Sequence, residues 1–314
     1  TLTINSGVTV QGGTLEAFGT ISIKGSSSSI VTFEDTALRW GRNEPNEPGL
    51  IEMDYCLFND GKLLDATGYA RYGGIQINHS FITNAPMIYL WYPETDIAID
   101  NSVFQETGGV SAGARGRVIS LRNNVFVRQT TDPGPAFEIW ADYDGTTVTV
   151  SKNSFMSTDR IALGLKYSAS FPGSAIENYW NTNDQSVIES MILDSNDDLS
   201  LKDEILYQPY LTEHDADTVT VINQWSAYID FDGDGVVEDL DAFPLISING
   251  RTDTDADGAP NTCDTECLAT GMTADTDDDG DGVDDTSDNC SLTANVDQLD
   301  TDADGSGNVC DTDD

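Results

Sequence analysis

Four twelve-residue windows near the C-terminus carry oxygen-bearing side chains at one common spacing. Asp230, Asp232, Asp234, Glu238 and Asp241 stand at positions 1, 3, 5, 9 and 12 of the first, with Gly235 at position 6. Asp253, Asp255, Asp257, Asn261 and Asp264 repeat the pattern around Gly258, and Asp277, Asp279, Asp281, Asp285 and Asp288 repeat it around Gly282. Asp300, Asp302, Asp304, Asn308 and Asp311 form the fourth window around Gly305. A hard divalent cation takes about six to eight oxygens, and a loop wraps Ca²⁺ with side chains at these positions, a glycine at the sharp turn and a backbone carbonyl at position 7. Val236, Ala259, Val283 and Ser306 would supply those carbonyls. The chemistry expected is calcium binding, with about four or more ions per chain.

Charge makes the same demand. Residues 275–290 hold eight carboxylates in sixteen positions with no Lys or Arg, and residues 230–314 hold 26 acids against one base, Arg251. Like charges at that density extend a chain unless cations neutralise them. A disordered tail is the usual meaning of an acidic run, but it would not place glycine at position 6 four times. The net charge of −41 argues against nucleic acid and against anionic lipid as partners. No apolar run approaches the length of a membrane span, and no basic-then-apolar leader opens the sequence. Thr1 begins directly in strand-like sequence, which reads as a processed chain or a fragment.

The elements that must carry this tail read differently. Residues 1–229 hold 29 acids and 13 bases, with abundant Val, Ile, Leu, Phe, Tyr and Trp. A short phrase recurs: "DYCLFND", "NHSFITN", "DNSVFQE", "NNVFVRQ", "KNSFMST" and "ENYWNTN". Its aromatics, Phe58, Phe81, Phe104, Phe126, Phe155 and Trp180, recur every 22 to 29 residues. A period in that range signals a solenoid. Each period holds short β-branched runs such as "GGIQIN" and "GRVISL" between Gly, Asn, Asp or Pro, the content of one coil of a parallel β-helix. Asn78, Asn101, Asn123, Asn153 and Asn178 precede the aromatics and would stack as a ladder at a turn, the aromatics lying inside.

"SVIESMI" puts Val187, Ile188, Met191 and Ile192 on one helical face behind Thr182, Asn183 or Asp184 as N-cap candidates, a short helix able to cover the last coil. "DTVTVINQW", residues 217–225, reads as one more strand. At the other end Thr1 falls inside a coil, so the first edge is expected to be covered by a missing segment or by another chain. The expected domains are a β-helix over 1–212 closed by 177–212, a connecting strand over 213–229, and metal-binding loops over 230–314.

Four of the five cysteines, Cys263, Cys267, Cys290 and Cys310, lie in the acidic tail, as disulfides of an oxidising, extracellular setting would. The sequence alone allows three pairings. Cys56 reads as a small buried hydrophobe.

"LTINSGVTV" and the closing stretch from Glu177 resemble the right-handed parallel β-helix proteins of bacterial surfaces and secretions, a pectate-lyase-like solenoid, over roughly residues 1–212. "DFDGDGVVEDLDAFP" (230–244) and "DNCSLTANVDQLDTDADGSGNVCD" (288–311) resemble thrombospondin type 3 repeats. That second resemblance implies calcium loops without flanking helices, with cysteines that cross-link neighbouring repeats. It favours Cys290 with Cys310 and Cys263 with Cys267, and it makes Asp275, Asp284 and Asp297 extra acids able to bridge ions between repeats. The departures are Glu238 for Asp, and Asn261 and Asn308 at position 9.

Parallel β-helices often carry polysaccharide lyases, so acids beside a base on the solenoid are candidates for such chemistry. Asp96 and Asp100 with Arg115, Arg117 or Arg122 fall on successive coils, where lyase chemistry would need clustered acids beside a base. The same residues read more simply as a surface ion-pair ladder. His79 sits in the ladder phrase and His214 in a polar segment, neither beside an evident nucleophile. Trp91, Tyr92, Trp140 and Tyr143 are candidates for stacking on sugar rings. The reading as a whole is an all-β chain: a right-handed parallel β-helix followed by a calcium-stabilised, disulfide-linked rod of loops. Its expected role is structural or adhesive, at a bacterial cell surface or outside the cell, with head-to-tail self-assembly through the exposed first coil. The alternative is a carbohydrate-active module acting on acidic polysaccharide.

Overall fold

The structure, a computed structural model, describes residues 1–312 apart from 42–48, 65–72, 114–115, 128–133, 142–144 and 168. Arg115 and Tyr143 therefore lie outside the described residues. Two compact units are present, Thr1–Trp225 and Ser226–Asp314.

The first unit is an all-β parallel solenoid. One face is an eight-stranded sheet made of Leu2–Asn5, Thr20–Lys24, Leu50–Asp54, Gly74–Asn78, Ile97–Asp100, Val118–Arg122, Thr147–Ser151 and Gly173–Ser174. The second face has seven strands, Thr9–Gln11, Val31–Glu34, Cys56–Asn59, Phe81–Thr83, Val103–Gln105, Val125–Val127 and Ser154–Phe155. The third is split into Thr14–Ala17, Ala37–Trp40 and Lys62–Leu63, then Ile88–Trp91, Val110–Gly113, Phe137–Ala141, Leu163–Leu165 and Ile192–Leu193. Every pairing between these strands is parallel, each strand bonding to its copy one coil on. Parallel neighbours need a long crossover, and here the other two faces of the coil provide it.

Period-two alternation decides what points inward: Ile51 and Met53 are buried while Leu50, Glu52 and Asp54 are half-exposed. Inside, the second face stacks Val10, Phe33, Phe58, Ile82, Phe104, Phe126 and Phe155 in register. Successive rings lie 5.0 Å apart for Phe104 and Phe126, 5.2 Å for Phe126 and Phe155, and 5.0 Å for Phe155 and Trp180. Such stacks add about 0.5–1.5 kcal/mol per pair beyond the area they bury.

The register corrects one expected marker. Phe58 pairs with Ile82, so the interior place on that coil belongs to Ile82 and Phe81 faces out. Phe81 is nonetheless buried, because a helix covers it.

That helix is a second correction. Residues 217–225 do not form a strand. The first helix, α1 (Gln185–Ser190), forms where a short helix is expected, with Asp184 as its N-cap and Ile188 buried. The second, α2 (Ala216–Trp225), replaces the strand. Thr218, Val221 and Trp225 recur at helical spacing and are all buried, and they outweigh the β preference of "TVTV" by packing on the outward face of Val103–Gln105 and Val125–Val127. The Asp215 carboxylate accepts the Asp217 N–H at 3.1 Å, the Thr218 hydroxyl donates to the Lys152 carbonyl at 2.6 Å, and the Trp225 ring sits 5.6 Å from that of Phe81.

The ladder at the corner between the first two faces is real but double. The outer residues Tyr55, His79, Asn101, Asn123, Lys152 and Glu177 take left-handed backbone. The inner row, one residue on, is Cys56, Ser80, Ser102, Asn124, Asn153 and Asn178, each wholly buried. From Ser80 onward each inner side chain accepts the N–H of its counterpart on the coil before: Asn178 Oδ1 from Asn153 and Asn153 Oδ1 from Asn124, both at 3.0 Å, and Ser80 Oγ from Cys56 at 3.2 Å. Asn101 and Asn123 therefore bond along the outer edge, while Asn153 and Asn178 carry the interior. Cys56 heads this row, and burial pushes its thiol up to about 12.

Candidate metal centres

In the second unit the three leading carboxylates of every loop converge. Ligand oxygens of Asp230, Asp232 and Asp234 lie within 4.8 Å of one another, as do those of Asp253, Asp255 and Asp257, of Asp277, Asp279 and Asp281, and of Asp300, Asp302 and Asp304. The local sequence brings this about through hydrogen bonds that the loops share. The position-6 glycine N–H donates to the position-1 carboxylate in all four, at 3.2, 3.0, 2.8 and 3.0 Å. The position-7 N–H donates to the position-5 carboxylate, at 2.9, 2.8, 2.9 and 2.9 Å. Only left-handed backbone at position 6 lets the chain fold back so tightly, and Gly235, Gly258, Gly282 and Gly305 have φ between +86° and +102°.

Position 9 closes the loop. Its N–H donates to the carbonyl just before position 1, at Ile229, Thr252, Thr276 and Leu299. Its side-chain oxygen accepts the position-2 N–H, at 2.9 Å for Glu238, 3.0 Å for Asn261, 3.0 Å for Asp285 and 2.9 Å for Asn308. In Asn261 and Asn308 the amide nitrogen also donates, to Thr254 and Thr301. The structure thus gives these two residues a stapling job. Thr at position 2 recurring with Asn at position 9 is the sequence signal that could have revealed it.

The loops alternate in type. The first and third have glycine at position 4, and a second oxygen of the position-5 Asp accepts an N–H fourteen residues on, Ile248 for Asp234 and Asn295 for Asp281. The second and fourth place Ala256 and Ala303 at position 4 with φ +63° and +62°.

Several of these oxygens are buried with no hydrogen-bond donor: Asp232 Oδ2, Asp277 Oδ1, Asp279 Oδ2 and Asp288 Oδ2. Leaving a charged group so costs upward of about 1–3 kcal/mol. In the third loop the orphans fall at positions 1, 3 and 12, which would face a cation, and also at position 2, on Asp278 Oδ1. An all-oxygen, multiply anionic donor set of this kind suits a hard ion such as Ca²⁺. The same burial, reinforced by neighbouring carboxylates, raises Asp232 and Asp255 to about 6 and Glu238 to about 7.

Position 12 is not uniform. Asp241 lies in the field of Asp230 and Asp234 and rests against Gly258 of the next loop. Asp288 acts on Asp279. Asp311 is half-buried, with Oδ1 accepting the Thr312 N–H at 2.6 Å. Asp264 instead caps a third helix, α3 (Thr265–Thr270), accepting the Cys267 N–H at 2.8 Å, and its carboxylate is exposed. Disulfides join Cys263 to Cys267 and Cys290 to Cys310. Of the extra acids, Asp284 and Asp297 are exposed, and Asp275 is half-buried with its N–H donating to the Pro260 carbonyl at 2.9 Å.

The solenoid's candidates are engaged with one another. Arg122 pairs with Asp100 at 3.1 Å, Arg117 with Glu94 at 3.4 Å, and Asp96 accepts the Val118 N–H at 3.0 Å. His79 stacks on Tyr55 with Nδ1 3.1 Å from Asp54, and His214 lies 2.7 Å from Ser154 Oγ, a serine with no accessible surface. Tyr92 and Trp140 meet edge to face at 5.5 Å.

Residues 252–298 match the sequence profile of a known family, the thrombospondin type 3 repeat. No curated protein and no solved structure matches the chain. No helix among the described residues is long and apolar enough to cross a membrane.

Proposed function

We propose that this is an extracellular calcium-binding structural protein, in which Ca²⁺ held by the four loops supplies the cohesion of the Ser226–Asp314 unit. The observation that carries the reading is the set of buried, donorless carboxylate oxygens within converged Asp triads. Asp230, Asp232, Asp234, Asp241, Asp277, Asp279, Asp281 and Asp288 would hold ions in the first and third loops, with the leading triads serving in the second and fourth. The carbonyls of Val236, Ala259, Val283 and Ser306 complete the donor sets. The ion contributes only charge and coordination. The protein's own part is to pre-arrange the loops through the position-6 turn and the position-9 staple. Affinities of about 10⁻⁴ to 10⁻³ M suit calcium outside cells. The thrombospondin type 3 match and the two disulfides support that location.

A structural or adhesive role at a bacterial surface, with copies joining through the first coil, extends the same reading. Leu2, Val8 and Phe18 on that coil are exposed. Equilibrium dialysis of the full chain tests calcium binding: several ions per chain at millimolar Ca²⁺ support it, and fewer than one sinks it. Sedimentation in millimolar Ca²⁺ tests assembly, and dispersed monomers at all concentrations remove that extension.

A further inference from the structure

We infer that the first and third repeats each present a leucine as a calcium-ordered docking stud for a cationic, apolar-faced protein segment; this rests on the calcium reading above. All five leucines of Ser226–Asp314, Leu240, Leu245, Leu268, Leu292 and Leu299, are more than half exposed. The same unit buries Ile229, Val236, Ala259 and Met272, so it has interior places for apolar side chains and gives none of them to leucine. Leu245 and Leu292 stand at the same place in their repeats, four residues past the position-12 aspartate, and each is 58% exposed. Single exposed leucines are ordinary on any surface. Two at one position, held out by the same backbone, are a repeated feature of the fold.

The hydrogen bonds that carry them are the same in the two repeats. Position 17 donates its N–H to the position-14 carbonyl, Ile246 to Phe243 at 2.9 Å and Thr293 to Cys290 at 2.7 Å, and the leucine is the third residue of that turn. The turn hangs between two carboxylates of its own loop. Position 12 accepts the position-14 N–H, Asp241 from Phe243 at 2.7 Å and Asp288 from Cys290 at 2.8 Å. Position 5 accepts the N–H two residues past the turn, Asp234 from Ile248 and Asp281 from Asn295. An ion drawing positions 5 and 12 together would fix both ends of the turn, so the leucine is presented when the loop is loaded and released when the carboxylates repel one another.

Charge decides what would sit there. Residues 230–314 hold 26 acids and one base, and four Ca²⁺ would leave the stretch strongly negative. Asp239 in the first repeat, and Asp284 and Asp297 in the third, are exposed. A second copy of this unit would bring the same sign of charge and be repelled. A segment that sets Lys or Arg beside apolar side chains satisfies both the leucines and the carboxylates.

The probe is a Leu/Lys amphipathic peptide, titrated by fluorescence anisotropy against the full chain, disulfides intact, in millimolar Ca²⁺. Leu245→Ser with Leu292→Ser should weaken its binding by at least about tenfold, while equilibrium dialysis counts the same bound ions as in the wild type. Leu245→Met with Leu292→Met should keep the binding, since volume and apolarity are conserved. Replacing the peptide's leucines by serine should weaken its binding to the wild type as much as the double Ser variant does, and chelator should abolish the leucine-dependent part. Equal binding by the wild type and the double Ser variant, or leucine-dependent binding that survives chelator unchanged, overturns the docking role. So does loss of ions in the double Ser variant, which would make the leucines part of the loops' own packing. Calcium-dependent self-association of the wild type that the double Ser variant lacks also overturns it, with a second copy as the occupant. A wild type that binds no calcium overturns the calcium reading too, whereas one that loads its ions and shows no leucine-dependent binding removes the docking role alone.

Discussion

The two units solve the same problem, ordering a long chain without many helices, by opposite means. Between Thr1 and Trp225 each coil buries a ring or branched side chain over its predecessor, and the polar corner row is satisfied by its own neighbours. Between Ser226 and Asp314 few apolar side chains are buried, and Leu240, Leu245, Leu292 and Val296 are exposed. The side chains that converge in each loop there are carboxylates that repel one another. Repetition alone therefore does not define a stabilising mechanism. The solenoid carries its cohesion in its sequence, whereas on the calcium reading the loops carry only half of theirs and take the other half from solution.

The largest effect expected from this difference is chelation. With EDTA the second unit should become protease-sensitive after Trp225 while the solenoid stays intact. Each site at a calcium concentration about tenfold above its Kd contributes about 1.4 kcal/mol, so four together decide whether the unit folds. Equal cleavage with and without chelator would erase the contrast. In the other direction, Phe126→Ala should lower solenoid stability by about 3–5 kcal/mol in denaturant melts, because it opens the ring stack on both sides. Calcium stoichiometry should not change, and a change would show that the two mechanisms are not separate.

Acidity sharpens the comparison next. Asp232 and Asp255 titrate near 6 and Glu238 near 7 in the folded chain, against ordinary values of 3.8 and 4.5. The folded state then holds more protons than the unfolded one between about pH 4 and 7. In chelator the second unit should be most stable below that window and lose stability as pH rises through it. With calcium present the trend inverts, since protons compete for the ligands as pH falls. Melting by circular dichroism at several pH values, with and without chelator, checks both signs. The smallest effect is a repair: Ala256 and Ala303 sit in left-handed backbone, so Ala256→Gly or Ala303→Gly should stabilise the calcium-loaded unit by up to about 1 kcal/mol. Destabilisation in thermal melts would mean the methyl groups have packing partners that outweigh the strain.

Much of this was readable from residue types. The recurring aromatics announced the solenoid, and glycine at position 6 announced the loops, because each is a backbone or packing requirement that few residues meet. What escaped was set by contacts between distant segments. The strand signal of "TVTV" lost to a helix because its buried face is defined by Phe81, Val103 and Val125, more than ninety residues earlier. Phe81 itself kept the aromatic spacing while stepping out of the interior, and only α2 makes that tolerable. The inner ladder escaped because Cys56, Ser80 and Ser102 share the position of Asn124, Asn153 and Asn178 without sharing their amide. Asp264 keeps the metal spacing yet caps a helix with its carboxylate exposed, an arrangement that spacing alone does not reveal.

The place of Cys56 at the head of that inner row has a practical meaning. A sulfur sealed in the wall, with its proton held far more tightly than usual, is a poor partner for thiol exchange, so the bridges of the other unit can form without a fifth cysteine scrambling them. The same seal makes it a one-time reporter: an alkylating reagent will mark this protein once the wall itself has come apart, and stay silent while only the loops let go.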